Sequence, residues 1–484
     1  MKVGFLFCCV VFSVAAKEEC GGQAQLTIGT VKDAVIQTEY AVRGPILVRA
    51  LKIEEELKNG DHKYPFDQIV KCNIGNPQSL GQKPITFTRQ VLSLVMNPSL
   101  ADYPDIFPHD AVARASAYLS EIKSVGAYSE SQGVTMVREE VAEFITNRDD
   151  GFKSWKENIF LAAGASDGVS ALLSVMIRSS DDAILVPLPQ YPLYSALISL
   201  FGGYFQGYYM AEEPGWDLDM NELEKSLVAA RSAGKTVRGL VVINPGNPTG
   251  SLLSEETMIQ IVKFCARENI VLMADEVYQT NVYRPDVPFI SFRSILGKVG
   301  ILSIDGEVSN NFQLASFHST SKGVVGECGL RGGYAEYLGF DRLVKDQIYK
   351  LASIKLCSNV PGQLAVGLMV NPPKKGDVSY ELYVKETTAV FQSLKRRAQS
   401  LEKTLNSLPG IRCNPIEGAM YAFPELSLPA KFLEACAEDG KVPDVAFSLE
   451  LLEATGLVVG KFLFSCVAFK INLKSSPWIR IRAA

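Results

Sequence analysis

From about residue 159 onward, short apolar runs alternate with longer amphipathic segments. Residues 159–163, 183–186, 239–243 and 270–274 are each almost unbroken stretches of Ile, Leu, Val, Phe, Ala and Met. Runs this short, most with β-branched residues, are the pattern of strands covered on both faces. Helical spacing follows the first run to about Ile177 and returns over residues 254–268. Strands alternating with helices predict an α/β fold with a mostly parallel, doubly wound sheet. The Pro- and Gly-bearing stretch Asn371-Pro372-Pro373-Lys374-Lys375-Gly376-Asp377 breaks the alternation, and a long charged helix is predicted over residues 380–408. Its basic stretch, Lys395-Arg396-Arg397, is read as a solvated helix face.

The organisation expected is therefore a leader or atypical N-terminus over 1–30 and a segment, 31–115, that packs with the small domain. A large domain over 116–365 and a smaller α+β domain over 366–484 complete it. Polar clusters follow directly after the predicted strands. Gly164-Ala165-Ser166 follows one, Asn244-Pro245-Gly246-Asn247-Pro248-Thr249-Gly250 another and Asp275-Glu276-Val277-Tyr278 a third, while Ser319-Thr320-Ser321-Lys322 follows residues 314–317. Ligands of open α/β sheets bind beyond the carboxyl ends of the strands, so these clusters should converge on one crevice.

Composition narrows the class. The chain has 484 residues, 47% of them apolar, and a net charge of −5, which is no footprint for nucleic acid. Ten cysteines without a CxxC pair and only three histidines argue against a zinc cluster and for reduced thiols in an intracellular enzyme. Residues 1–16 (MKVGFLFCCVVFSVAA) resemble a secretory signal and are too short to span a membrane. Read as an atypical start instead, they leave a cytoplasmic protein, and no Asn-x-Ser/Thr acceptor favours secretion. An organellar location stays open, although nothing resembles an Arg-rich mitochondrial presequence. No membrane partner is expected.

The clusters carry one chemistry. Lys322 supplies an amine for a Schiff base, although an ordinary lysine, with a pKa of about 10.4, must be held neutral to act as a nucleophile. Freed during the reaction, that amine shuttles a proton. Asp275, at the end of an apolar strand, is placed to keep a ring nitrogen protonated, since an opposite charge within about 4–6 Å shifts a pKa by roughly 1–3 units. Asn247 and Tyr278 offer donors to a phenolate oxygen. Tyr191, in Pro189-Gln190-Tyr191-Pro192, is placed to stack on a ring. Backbone amides of Ala165 and Ser166 at a helix start, the hydroxyls of Ser319 and Ser321 and the guanidinium of Arg331 suit a phosphate. The set matches pyridoxal 5′-phosphate group by group. Ser319-x-x-Lys322 also fits a serine acyl-enzyme signature, but the S-D-N and K-T-G partners of that signature are absent.

NPGNPTG, ADEVY, SFHSTSKG and GECGLRGGY resemble the fold-type I pyridoxal-phosphate aminotransferases, and more closely the alanine aminotransferase family. Two earlier segments, Asn73-Ile74-Gly75-Asn76-Pro77-Gln78-Ser79-Leu80-Gly81-Gln82 and Gly126-Ala127-Tyr128-Ser129-Glu130-Ser131-Gln132-Gly133, resemble it too. The similarity runs from about Glu39 to Val459. It implies Lys322 as the Schiff-base lysine, Asp275 at the ring nitrogen, Asn247 and Tyr278 at the phenolate oxygen, and Tyr191 on the ring. Ala165, Ser166, Ser319 and Arg331 would hold the phosphate, Tyr128 would reach the phosphate of a neighbouring subunit in a homodimer, and Gly75 would lie beside the substrate carboxylate.

The activity so implied is transfer of an amino group between L-alanine and 2-oxoglutarate, giving pyruvate and L-glutamate. A glutamate:glyoxylate aminotransferase is the near alternative. The end of the chain departs from the pattern. After Gly456-Leu457-Val458-Val459 the family continues with a PGSGFG-like loop, a strand whose arginine clamps the substrate carboxylate, and a final helix. Here the chain reads Gly460-Lys461-Phe462-Leu463-Phe464-Ser465-Cys466 instead, and Arg480 and Arg482 lie outside the expected context. A third reading follows, in which a variant end leaves a cofactor-binding dimer with impaired catalysis.

Overall fold

The computed structural model describes residues 26–40, 44–60, 64–73, 75–103, 105–213 and 215–459, and the backbone of Arg480–Arg482. The signal-like stretch and the departure after Val459 fall largely outside these residues. The strands in chain order are β1 (Val70–Lys71), β2 (Ile159–Ala162), β3 (Asp182–Leu188), β4 (Tyr204–Tyr209), β5 (Thr236–Ile243), β6 (Val271–Asp275), β7 (Leu314–Ser319) and β8 (Gly333–Leu338). Then follow β9 (Ile411–Arg412), β10 (Glu425–Ser427), β11 (Leu457–Val458) and β12 (Arg480–Arg482).

Seven of them form the central sheet, in the order β2-β8-β7-β6-β5-β3-β4. The run β7-β6-β5-β3-β4 is parallel, while β8 is antiparallel to both of its neighbours. Alternate strand residues serve opposite faces. Leu240, Val242, Leu272, Ala274 and Leu314 pack on one side with the helices Met220–Ser232, Glu255–Glu268 and Phe292–Lys298. Val241, Ile243, Met273, Ala315 and Phe317 pack on the other with Ala165–Met176, Leu193–Phe201 and Arg342–Ile354. Apolar residues on both faces explain the unbroken apolar runs in the sequence, and helices on both faces make the sheet doubly wound.

The packing divides residues 31–115, which the sequence reading grouped together. Helix Pro45–Lys58 buries Ile46, Ala50 and Ile53 against Leu452 and Val458, and β1 pairs in parallel with β11. Helices Thr86–Met96 and His109–Ile122 instead share a core with Thr135–Arg148 and Val360–Val370. The aliphatic face of the first, Val91, Leu92, Leu94 and Val95, is drawn to that larger apolar surface.

A second sheet, β12-β10-β9, is antiparallel, with Arg480 in register with Ser427 and Arg482 with Glu425. The backbone of Arg480–Arg482 thus forms a strand beside β10. No helix among the described residues is long and apolar enough to cross a membrane.

Candidate active site

Strands β2, β3, β5, β6 and β7 end on one edge of the sheet, and β8, running the other way, begins there. That geometry gathers the clusters. Lys322 follows β7 after Ser319-Thr320-Ser321, and its amine donates to the Gly75 carbonyl. A side chain at Gly75 would meet the Lys322 Nζ at 2.9 Å and the Tyr421 hydroxyl at 3.0 Å. The absence of a Cβ therefore lets the Lys322 amine and the Tyr421 hydroxyl lie close against the backbone at Gly75.

Asp275 ends β6 and is buried. Its Oδ2 accepts from the Tyr194 hydroxyl at 2.8 Å and its Oδ1 from the Val277 N–H at 3.3 Å. Burial pushes the carboxyl up to about 6, against these two donors. A carboxylate held in such a place favours a cationic partner.

The anion cradle assembles from three directions. Helix Ala165–Met176 begins with N–H groups that have no carbonyl one turn before them. Gly164, at φ +86, lets Arg331 lie against it, and a Cβ there would stand 2.5 Å from the guanidinium. Arg331 donates from Nη2 to the Ala163 carbonyl at 2.8 Å and the Ser166 hydroxyl at 3.3 Å. Ser319 is buried at the end of β7 and its hydroxyl accepts from the Ser321 N–H at 3.3 Å. Arg331 remains exposed and sits in the left-handed region at φ 51.

Tyr278 is buried, and its hydroxyl donates to that of Tyr421 at 3.0 Å. Burial raises both Tyr278 and Tyr191 well above an ordinary phenol, so both stay protonated donors at neutral pH. Tyr191 shares a hydrogen bond of 3.0 Å with Tyr40. Asn247 lies half-buried in the loop after β5. Tyr128 is not brought into the cluster: it stands 77% exposed on the surface.

Three residues of the site escaped the sequence reading. Tyr194 lies one helical turn after Tyr191, a spacing that places both at the same strand end. Tyr421 comes from Glu417-Gly418-Ala419-Met420-Tyr421, almost a hundred residues beyond Lys322, where only the glycine hinted at a close turn. Tyr40 lies in an N-terminal segment without periodic pattern.

A buried ionic layer supports the ends of β6 and β7. Glu276 accepts from the Phe292 N–H at 2.9 Å and faces Arg148 at 3.6 Å, and burial raises it to about 7 against that arginine. Arg293 bridges Glu336 at 3.2 Å and Asp149 at 3.8 Å. His318, buried beside Arg148, is held down at about 3, chiefly by burial, and stays neutral. These groups fix the strand ends that carry Asp275 and Ser319.

The donor set fits pyridoxal 5′-phosphate. A buried carboxylate suits the ring nitrogen, buried phenols suit ring oxygens and an aromatic face, a helix start with Arg331 suits the phosphate, and an amine stands against Gly75.

Comparison with known proteins agrees. The family model for aminotransferase class I and II matches residues 91–484. Alanine aminotransferase 2 of Panicum miliaceum is 48% identical over 441 residues, 90% of each chain. Glutamate–glyoxylate aminotransferase 2 of Arabidopsis thaliana is 49% identical over 432 residues, 88% of this chain and 87% of that protein. In fold, the alanine aminotransferase structure from Pyrococcus furiosus superposes with a TM-score of 0.66 at 22% identity, covering 89% of this chain and 90% of that one. The chain belongs to the class I and II aminotransferases, and within them to the alanine aminotransferase family.

Proposed function

We propose that this protein transfers the amino group of L-alanine to 2-oxoglutarate, giving pyruvate and L-glutamate. The observation that carries the reading is the adjacency of β6 and β7, which puts the strand ends leading to Asp275 and Lys322 side by side, with Arg331 bonded to Ser166 at the start of its helix. Pyridoxal 5′-phosphate, when bound, supplies the electron sink that the transfer of an amino group requires.

The chain's own groups do the rest. Lys322 would hold and return the proton at its Nζ, beside Gly75. Asp275 would hold the positive charge of the ring nitrogen, with Tyr194 orienting its carboxylate. Asn247 and Tyr278 would donate to the phenolate oxygen, and Tyr191 would cover the ring. Ala165, Ser166, Ser319, Ser321 and Arg331 would hold the phosphate through charge-assisted hydrogen bonds. Gly75 would border the substrate carboxylate.

The protein works as a homodimer in which Tyr128 reaches the phosphate of the neighbouring subunit. Its 77% exposure in the single chain supports that role. The reducing cytoplasm suits the six described thiols, Cys72, Cys265, Cys328, Cys357, Cys413 and Cys436, which are unpaired.

Glutamate with glyoxylate is the second reading, favoured by the 49% identical Arabidopsis relative. An assay of purified protein with pyridoxal phosphate decides between them. Turnover of alanine with 2-oxoglutarate well above that of glutamate with glyoxylate supports the first. No turnover of either pair, with cofactor bound, would leave a binding protein and overturn both.

A further inference from the structure

The Tyr421 hydroxyl stands 3.0 Å from the point where a Gly75 Cβ would lie, a point that is 2.9 Å from the Lys322 Nζ. Tyr421 and Lys322 thus both lie against Gly75, while the Tyr421 hydroxyl meets that of Tyr278 at 3.0 Å. The two rings are edge to face, with centroids 5.8 Å apart at 82°.

Its position is built, not incidental. The N–H groups of Glu417 and Gly418 both donate to the Gly250 carbonyl, at 2.9 and 2.8 Å. The Ala419 N–H donates to the Asn281 carbonyl at 2.9 Å, and the Tyr283 N–H to the Glu417 carbonyl at 2.8 Å. The Glu417 carboxylate accepts from Leu252 N–H at 3.1 Å and from Arg284 at 2.7 Å. Gly250 ends the loop that carries Asn247, and Asn281 closes the turn that carries Tyr278. The segment bearing Tyr421 is therefore strapped to both loops that address the phenolate oxygen.

A phenol has one hydrogen and two lone pairs. Once the Tyr278 hydrogen turns to a ring oxygen, the Tyr278 oxygen can only accept from Tyr421. Donation into a donor strengthens it. We propose that Tyr421 is a positioning residue that sets the donor strength of Tyr278, and through it the proton affinity of the bound cofactor. The proposal rests on the cofactor-binding reading above. Asp275, Tyr191, Lys322 and Cys328 are the other titratable groups around this pair, and all are left in place by a change at Tyr421.

The experiment is a pH titration of the visible absorption of the loaded protein, with cofactor affinity measured on the apoprotein. Tyr421→Phe weakens the Tyr278 donor, so the apparent pKa of the absorption change should rise by about half a unit or more. Cofactor affinity should fall severalfold. The isosteric replacement of Tyr421 by 3,5-difluorotyrosine makes a stronger donor and should move the pKa downward. Shifts of opposite sign support a hydrogen-bond relay, because a packing role would move both the same way. No shift in either protein, or shifts of one sign, overturns the proposal. A wild-type protein with no visible band overturns the cofactor-binding reading and this inference with it.

Discussion

The Tyr194 hydroxyl donates to the Asp275 carboxylate at 2.8 Å, and both groups are buried beneath the site. Tyr194 is one of two donors that offset the burial of that carboxylate. Tyr194→Phe removes a hydrogen bond to a charged group, worth about 1.5–3 kcal/mol. The Asp275 carboxyl should therefore titrate higher still. The apoprotein's stability measured against pH should show its Asp275-dependent midpoint displaced upward. An unmoved midpoint would mean that the hydroxyl does not hold the ionised form.

Asp275 also fixes the sign of a pH dependence. Its folded value of about 6 lies above the roughly 3.9 of an exposed aspartate. Folding thus favours the neutral acid, and this stabilisation is full below about pH 4 and lost as pH rises through about 6. A cationic ring nitrogen reverses the preference. The gain in Tm on adding pyridoxal phosphate should be larger at pH 8 than at pH 5. Asp275→Asn should flatten that difference, and calorimetry of both proteins with and without cofactor checks it.

Affinity and rate should separate. Arg331→Ala removes contacts worth about 1.5–3 kcal/mol from the cradle, so cofactor affinity should drop roughly tenfold to 150-fold. Asp275→Ala leaves the cradle intact and should lower turnover more than affinity. Equilibrium titration beside single-turnover rates tests the division. Equal losses of affinity in both variants would count against it.

The strands of the sheet were legible in the sequence because burial on both faces demands unbroken apolar runs, as at residues 239–243 and 270–274. Their polar ends were legible because Lys322, Asp275 and Arg331 sit in short local patterns. The reversed direction of β8 was not, since its short run, Gly333–Leu338, carries no pattern that tells parallel from antiparallel pairing. Tyr421 and Tyr40 were missed for a related reason. Each reaches the crevice by tertiary packing across long stretches of chain, and a single tyrosine in a loop carries no period. The strand Arg480–Arg482 was not legible either, since its place is set by pairing with β10 across more than fifty residues of chain.

Gly250 links the loop that carries Tyr421 to the loop that carries Asn247. Its φ is +70, and an added Cβ would stand 2.8 Å from the Tyr421 carbonyl and 3.3 Å from that of Gly418. Gly250→Ala should cost about 1–3 kcal/mol through backbone strain and the displaced loop. A lowered Tm together with a shifted visible absorption is the expected result. A lowered Tm with an unchanged spectrum would separate the loop from the chromophore.

The most direct measurement asks which lysine holds the cofactor. The protein loaded with pyridoxal phosphate is reduced with borohydride, digested, and the labelled peptide identified by mass spectrometry. The label should lie on Lys322 and should vanish in Lys322→Ala. A label on another lysine, or one that survives that substitution, would contradict the assignment of Lys322 and the active site built around it.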